Sequence, residues 1–112
     1  MSSYIPDNWV VVKFKGEKPH YRILAGWSGG YATADCWRMN SGITKVDAVG
    51  DDLHFYGSSG SCYICGKKSY MLRKNNAYVW HALDQEWGDK VELMPEDTDW
   101  LTLEWEPKNE RG

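Results

Sequence analysis

The chain has 112 residues, enough for one hydrophobic core but not for two, and its net charge at pH 7 is −3. Seven Trp and seven Tyr stand beside only two Phe, so most large apolar side chains also carry an N–H or O–H group. The odd number of cysteines excludes a closed set of internal disulfides, and the lack of a long apolar run or a signal-like N-terminus argues against membrane and secreted proteins. We therefore expect a cytoplasmic protein with reduced thiols, folded as a single domain over residues 1–112.

The charges divide the chain into two parts. Residues 1–83 carry ten Lys or Arg against six Asp or Glu, whereas residues 84–112 carry three against ten. The C-terminal segment is therefore acidic, and its negative charge disfavours binding to a nucleic-acid backbone. It is either a solvated face that keeps the domain soluble or, with Trp87, Trp100 and Trp105, a docking surface for a basic partner.

Alternation of apolar and polar residues predicts strands over the first two thirds of the chain. Val10, Val12 and Phe14 would lie on one face of a strand and Lys13 on the other, which predicts a half-buried first strand. A turn and a second apolar run complete a hairpin over residues 9–27.

Further short strands are predicted at residues 36–40, 43–49 and 53–56. Gly50 marks a tight hairpin between the last two of these strands. Two more strands are expected at residues 91–94 and 100–105.

The apolar spacing changes to a helical period after Asn76. Val79, Leu83 and Trp87 fall on one helical face, Asn76 favours a helix start and Gly88 a helix end. We therefore expect one helix near residues 76–87.

These elements predict a mainly β fold. The expected architecture is a small antiparallel barrel or a strongly bent sheet of about six to eight strands, with the helix capping one open end. The alternative is an α+β fold with the helix across one face of the sheet.

Cys62-Tyr-Ile-Cys65 has the spacing of one half of a zinc site. Two further ligands would have to come from the remaining thiol and the histidines, and none of these forms a second spaced pair: Cys36, His20, His54 and His81. The strand period instead places Cys62 and Cys65 on opposite faces. We expect no cofactor, and the alternative is a small zinc-binding domain that uses Cys62 and Cys65 with Cys36 and His54.

Two Ser/Gly loops lie between aromatic residues, at Trp27-Ser-Gly-Gly-Tyr31 and at Tyr56-Gly-Ser-Ser-Gly-Ser-Cys-Tyr63. Loops of this kind expose backbone N–H groups and hydroxyls beside aromatic rings, which suits a small anionic or nucleotide ligand. Neither loop matches a P-loop, so bending strands is the alternative role. The candidate ligand-binding residues are the loop residues and neighbouring aromatics: Trp27, Ser28, Gly29, Gly30, Tyr31, Trp37, Tyr56, Ser58, Ser59, Gly60, Ser61 and Tyr63.

Catalysis has little support in the sequence. The histidines are dispersed, and no Ser or Cys lies in a nucleophile motif. An enzyme with a site near His54, Cys36 and Asp35 is a further alternative, because these residues can meet only in three dimensions. We predict no catalytic residue and favour a protein that is not an enzyme.

Four stretches together resemble small uncharacterised proteins of tailed bacteriophages and some bacteria: Asn8-Trp-Val-Val-Val, Ala25-Gly-Trp-Ser-Gly-Gly-Tyr31, Trp37-Arg-Met-Asn-Ser-Gly-Ile43 and Gly57-Ser-Ser-Gly-Ser61. The resemblance covers residues 4–65 and implies a phage accessory protein made in the host cytoplasm. Proteins of this class often act by binding. The expected function is therefore non-enzymatic binding of a host protein or of a small anionic or nucleotide ligand.

Overall fold

The computed structural model describes residues 3–16, 18–28, 36–103 and 105. Eight strands and one α-helix lie in this part of the chain, so the protein is mainly β, as predicted. The strands are β1 (Ser3–Tyr4), β2 (Asn8–Phe14), β3 (His20–Trp27), β4 (Cys36–Met39), β5 (Ile43–Val49), β6 (Asp52–Gly57), β7 (Cys62–Gly66) and β8 (Val91–Leu93). The helix α1 (Ala77–Trp87) is followed by a 3-10 turn at Gly88–Lys90. In the described ranges no helix has the length and apolarity needed to cross a membrane.

The strands form two four-stranded sheets. Sheet A has the order β1-β7-β6-β5, and sheet B has the order β4-β3-β2-β8. The pair β1 and β7 is parallel, whereas the other strand pairs are antiparallel. The described strands thus make two separate sheets, and the closed antiparallel barrel predicted from the strand spacing is not formed among them.

The first hairpin is confirmed, because β2 and β3 pair along the whole of β2. The expectation that β2 is half-buried is wrong. Val11 packs between the two sheets, while Val10 and Val12 pack on the opposite face of sheet B beneath α1. Both faces of this strand are therefore covered, and Lys13 is its one partly exposed residue.

The space between the sheets is filled largely by aromatic rings. The buried rings in this core include Trp9, Tyr21, Phe55, Tyr63, Trp100 and Trp105. The prediction of a strand at residues 100–105 is wrong, since residues 100–102 form a turn. This turn buries Trp100 and leaves Leu101 57% exposed.

Helix α1 begins after Asn76 and ends at Gly88, close to the predicted limits. Its Val79 joins a second apolar cluster with Val10, Phe14 and Leu24 on the outer face of sheet B. The helix thus lies across one face of a sheet, as in the α+β alternative, and does not cap the end of a barrel.

A buried pair of amides attaches the segment before α1 to sheet B. Asn8 Nδ2 donates to Asn75 Oδ1 at 3.0 Å, and Asn75 Nδ2 donates to Asn8 Oδ1 at 2.7 Å. The neighbouring Asn76 donates through Nδ2 to the Leu24 carbonyl, so its side chain bonds to the sheet and does not cap the helix. A Cβ at Gly26 would lie 2.0 Å from Asn75 Oδ1, which explains why glycine stands there.

Candidate functional site

A pocket of about 730 Å³ lies where the chain crosses from β4 in sheet B to β5 in sheet A. We call it the crossover pocket. Its polar lining comes from β3, from β4 and the crossover, and from the turn between β6 and β7: Arg22, Arg38, Asn40, Ser41, Ser59 and Ser61. Tyr4, Met39, Gly60 and Tyr63 complete the described lining.

Asn40 directly follows strand β4 and lines this pocket. Its Oδ1 accepts a hydrogen bond from Ile23 N at 2.9 Å, and its own backbone N–H donates to the Ile23 carbonyl. The side chain is 4% exposed, yet Nδ2 has no acceptor among the described residues. An unpaired buried donor costs free energy, so Asn40 Nδ2 is an unsatisfied group in the buried wall of the pocket.

The turn between β6 and β7 is fastened to the crossover. The bond from Ser59 N to Ser41 Oγ measures 3.1 Å, and the hydroxyls of Ser41 and Ser58 are 2.8 Å apart. The backbone N–H groups of residues 57–60 all donate to acceptors within the protein. The expectation that this loop exposes N–H groups therefore does not hold for residues 57–60, and side chains supply donors that face the pocket.

Two arginines reach the pocket from different strands. The Arg38 guanidinium lies 4.6 Å from the centre of the Tyr4 ring, and the rings of Tyr4 and Tyr63 are 5.0 Å apart. Arg22 Nε donates to His20 Nε2 at 3.0 Å. The Arg22 guanidinium also lies over the Phe14 ring, 5.1 Å from its centre. No described residue accepts a hydrogen bond from the terminal NH₂ groups of either arginine, and such groups can donate to a ligand.

Neither arginine takes part in an ion pair with a described residue. Within that part of the chain the ion pairs are Lys15 with Glu92 and Lys45 with Asp47. The described pocket lining also holds no carboxylate. The pocket therefore carries positive charge that the described residues do not neutralise.

Tyr63 forms part of the pocket wall and is almost fully buried. Burial raises its pKa to about 12, and the nearby Arg38 opposes this rise only in part. The Tyr63 hydroxyl is therefore protonated at neutral pH and is not a base. Since the described lining also lacks His, Cys, Asp and Glu, the arrangement offers hydrogen-bond donors and cations but no general base.

Four of the predicted ligand-binding residues meet in the crossover pocket: Ser59, Gly60, Ser61 and Tyr63. Ser58 lies behind the lining, bonded to Ser41. Trp27 packs edge-on against Tyr4 with the ring centres 6.3 Å apart, and so it supports the wall without lining the pocket.

The other predicted residues lie elsewhere. Trp37 is next to Arg38 on β4 and projects from the opposite face of sheet B, where it is 42% exposed. Tyr56 alternates with the buried Phe55 and so projects from the outer face of sheet A. Ser28 is tied to Asp7 through its backbone N–H, away from the pocket lining. Gly29, Gly30 and Tyr31 lie outside the described residues.

Sequence reasoning missed six of the ten described lining residues, both arginines among them: Tyr4, Arg22, Arg38, Met39, Asn40 and Ser41. Arg22 lies in β3 and Arg38 in β4. Because the two strands are separate segments of the sequence, no spacing pattern connects the two arginines.

Cys62 and Cys65 lie on opposite faces of β7. Cys65 packs in the core between the sheets, while Cys62 pairs with Tyr56 on the other face. Burial raises the pKa of both thiols. Over the described ranges no group of three or more His, Cys, Asp or Glu is placed to hold a metal ion.

The residues of the enzyme alternative are not brought together. His54 projects from the outer face of sheet A, because it alternates with the buried Leu53 and Phe55. Cys36 begins β4 in sheet B, and Asp35 lies outside the described residues.

The acidic segment does not present its three tryptophans on one surface. Trp100 and Trp105 belong to the core, and only Trp87 is exposed.

Comparisons with known proteins add no assignment. No known protein family matches the chain, and no curated protein or solved structure matches it significantly.

Proposed function

We propose that the protein is a non-enzymatic binding protein that takes a small anionic ligand in the crossover pocket. The observation that carries the proposal is the pair of arginines, Arg22 and Arg38, which line one pocket without a carboxylate partner among the described residues. Guanidinium groups bind phosphate and carboxylate oxygens through paired N–H donors. The sequence led us to expect a phage-type accessory protein that binds either a small ligand or a host protein. Of these two kinds of binding partner, we propose the small ligand.

The neutral donors support the same reading. Asn40 Nδ2 is buried without an acceptor among the described residues, and Ser59 and Ser61 add hydroxyls to the same wall. An anion bound in this pocket would accept from the serine hydroxyls as well. The volume of the pocket, about 730 Å³, lies in the range typical of small-molecule sites.

The absence of a base in the described lining supports binding over catalysis. Serine hydroxyls need an adjacent base to become nucleophiles, and the described residues around Ser59 and Ser61 provide none.

The test is the affinity of the purified protein for inorganic phosphate, measured by calorimetry and by the ligand-dependent rise in Tm. Arg38→Gln should weaken phosphate binding at least tenfold, because a hydrogen bond to a charged group is worth about 1.5–3 kcal/mol. Arg38→Lys keeps the charge and should bind with intermediate affinity. Arg73→Gln removes an exposed arginine that does not line the pocket, and it should bind as the wild type does.

Two outcomes would contradict the proposal. One is a wild-type protein whose Tm does not respond to phosphate or any other small anion. The other is an equal loss of affinity in Arg38→Gln and Arg73→Gln, which would indicate non-specific attraction to surface charge.

A further inference from the structure

A second groove of about 460 Å³ lies beside the crossover pocket, between the turn of the β2–β3 hairpin and the C-terminal end of α1. We call it the aromatic groove. Its apolar walls are Phe14, Met39, Leu83 and Trp87.

The rings in this groove are held in fixed orientations. Phe14 and His20 stack with their centres 5.1 Å apart and their planes 6° from parallel. Trp87 meets Phe14 edge-on at 6.0 Å, yet its side chain remains 47% exposed. The groove therefore exposes the surface of an indole that the packing of α1 leaves uncovered.

The charge of the aromatic groove has the same sign as that of the crossover pocket. Lys18 and Arg22 line it, and no carboxylate does so among the described residues. Arg22 Nε donates to His20 Nε2 at 3.0 Å, and His20 Nδ1 donates to the Lys18 carbonyl at 2.9 Å.

The two cavities meet at a shared wall. Arg22 and Met39 line both the crossover pocket and the aromatic groove. The Arg22 guanidinium itself lies over the Phe14 ring, 5.1 Å from its centre. A ligand whose anionic group is bound in the crossover pocket would thus extend, past Arg22, along a surface of His20 and Trp87.

We infer that the ligand is an anionic group joined to a planar ring, as in a nucleoside phosphate, with the anion in the crossover pocket and the ring in the aromatic groove. The inference rests on the proposed function, because the anion fixes one end of the ligand. Planar rings stack on aromatic side chains with a gain that depends little on the identity of the ring. Arg22 contacts both parts of the ligand and orders one relative to the other.

The test compares three probes on the same protein: inorganic phosphate, adenosine and adenosine monophosphate. The monophosphate should bind roughly tenfold or more tightly than phosphate, because it adds a stacked ring. Trp87→Ala should remove most of this advantage while leaving the affinity for phosphate unchanged. Tyr78→Ala removes another exposed aromatic side chain of α1 that lines neither cavity, and it should change neither affinity.

The results separate this inference from the proposed function. If phosphate binds in an Arg38-dependent way but the monophosphate binds no more tightly, the inference is overturned and the proposed function stands. The same conclusion follows if Trp87→Ala, shown to be folded by circular dichroism, retains the full advantage of the monophosphate. If none of the anions binds the wild type, the proposed function fails, and the inference fails with it.

Discussion

Sheets A and B are built from strands of similar length but differ in how many of their faces are covered. In β3 of sheet B the adjacent residues Ile23 and Leu24 are both fully buried, one beneath sheet A and the other beneath α1. In β6 of sheet A the buried Phe55 is followed by Tyr56 and preceded by His54, both partly exposed. The difference arises because α1 packs on the outer face of sheet B and so covers the second side of its strands.

The sequence of each strand is consistent with its position. Strand β2 carries apolar residues on both of its faces, as strands covered on both faces do. Strand β6 alternates, as strands with one solvent-facing side do.

The largest expected losses of stability come from alanine substitutions at two pairs of adjacent residues, one pair in each sheet. Ile23→Ala and Leu24→Ala should each lower the free energy of unfolding by about 2–5 kcal/mol, since both faces of sheet B are covered. In sheet A, Phe55→Ala should cost about 3–5 kcal/mol, whereas His54→Ala should change stability by less than about 0.5 kcal/mol. Urea unfolding of the four variants measures this, and a large loss in His54→Ala would mean that the outer face of sheet A is covered.

A glycine substitution tests the attachment of α1 to sheet B. Gly26→Ala would force Asn75 away from Asn8 and leave buried amide groups unpaired, so a loss of about 2–4 kcal/mol is expected. Gly16→Ala is the matched control, because a Cβ there meets nothing within 4 Å. The measurement is thermal unfolding of both variants. Equal stability of Gly26→Ala and Gly16→Ala would show that the amide pair of Asn8 and Asn75 does not depend on the glycine at position 26.

The smallest expected effect concerns alkaline pH and the inner face of sheet A. Tyr63 has a pKa of about 12 in the folded state against 10.0 for an ordinary tyrosine, because burial disfavours the phenolate. The unfolded chain therefore releases this proton first, and the stability linked to Tyr63 is complete below pH 10 and is lost as the pH rises from 10 to about 12.

Tyr63→Phe should accordingly show a smaller fall in the free energy of unfolding over this pH range than the wild type does. Urea unfolding at about pH 8 supplies the reference for each protein, so any cost of the substitution itself cancels. An unchanged pH dependence in Tyr63→Phe would contradict the assignment of a raised pKa to this residue.

The candidate site was predictable only in part. Ser59, Gly60, Ser61 and Tyr63 follow one another closely in the sequence, and their composition marked them as a loop beside an aromatic ring. Arg22 and Arg38 carried no such mark, because a lone arginine in a strand is common and only the folded chain brings both into the lining of one pocket. Trp37 and Tyr56 were expected at the site as aromatic neighbours, but strand alternation turns both away from it.

The sequence by itself determined the positions of β2 to β8, the limits of α1 and the opposite directions of Cys62 and Cys65. These features depend on local periodicity and on turn residues such as Gly50 and Gly88, which act within a few residues of chain. Only the tertiary structure decided that the strands divide into two sheets, that Trp100 is buried beside an exposed Leu101, and that two arginines share a pocket. The physical reason is that both faces of sheet B are buried by residues that are distant in sequence. A local pattern of apolar residues does not indicate which distant surfaces will cover a strand.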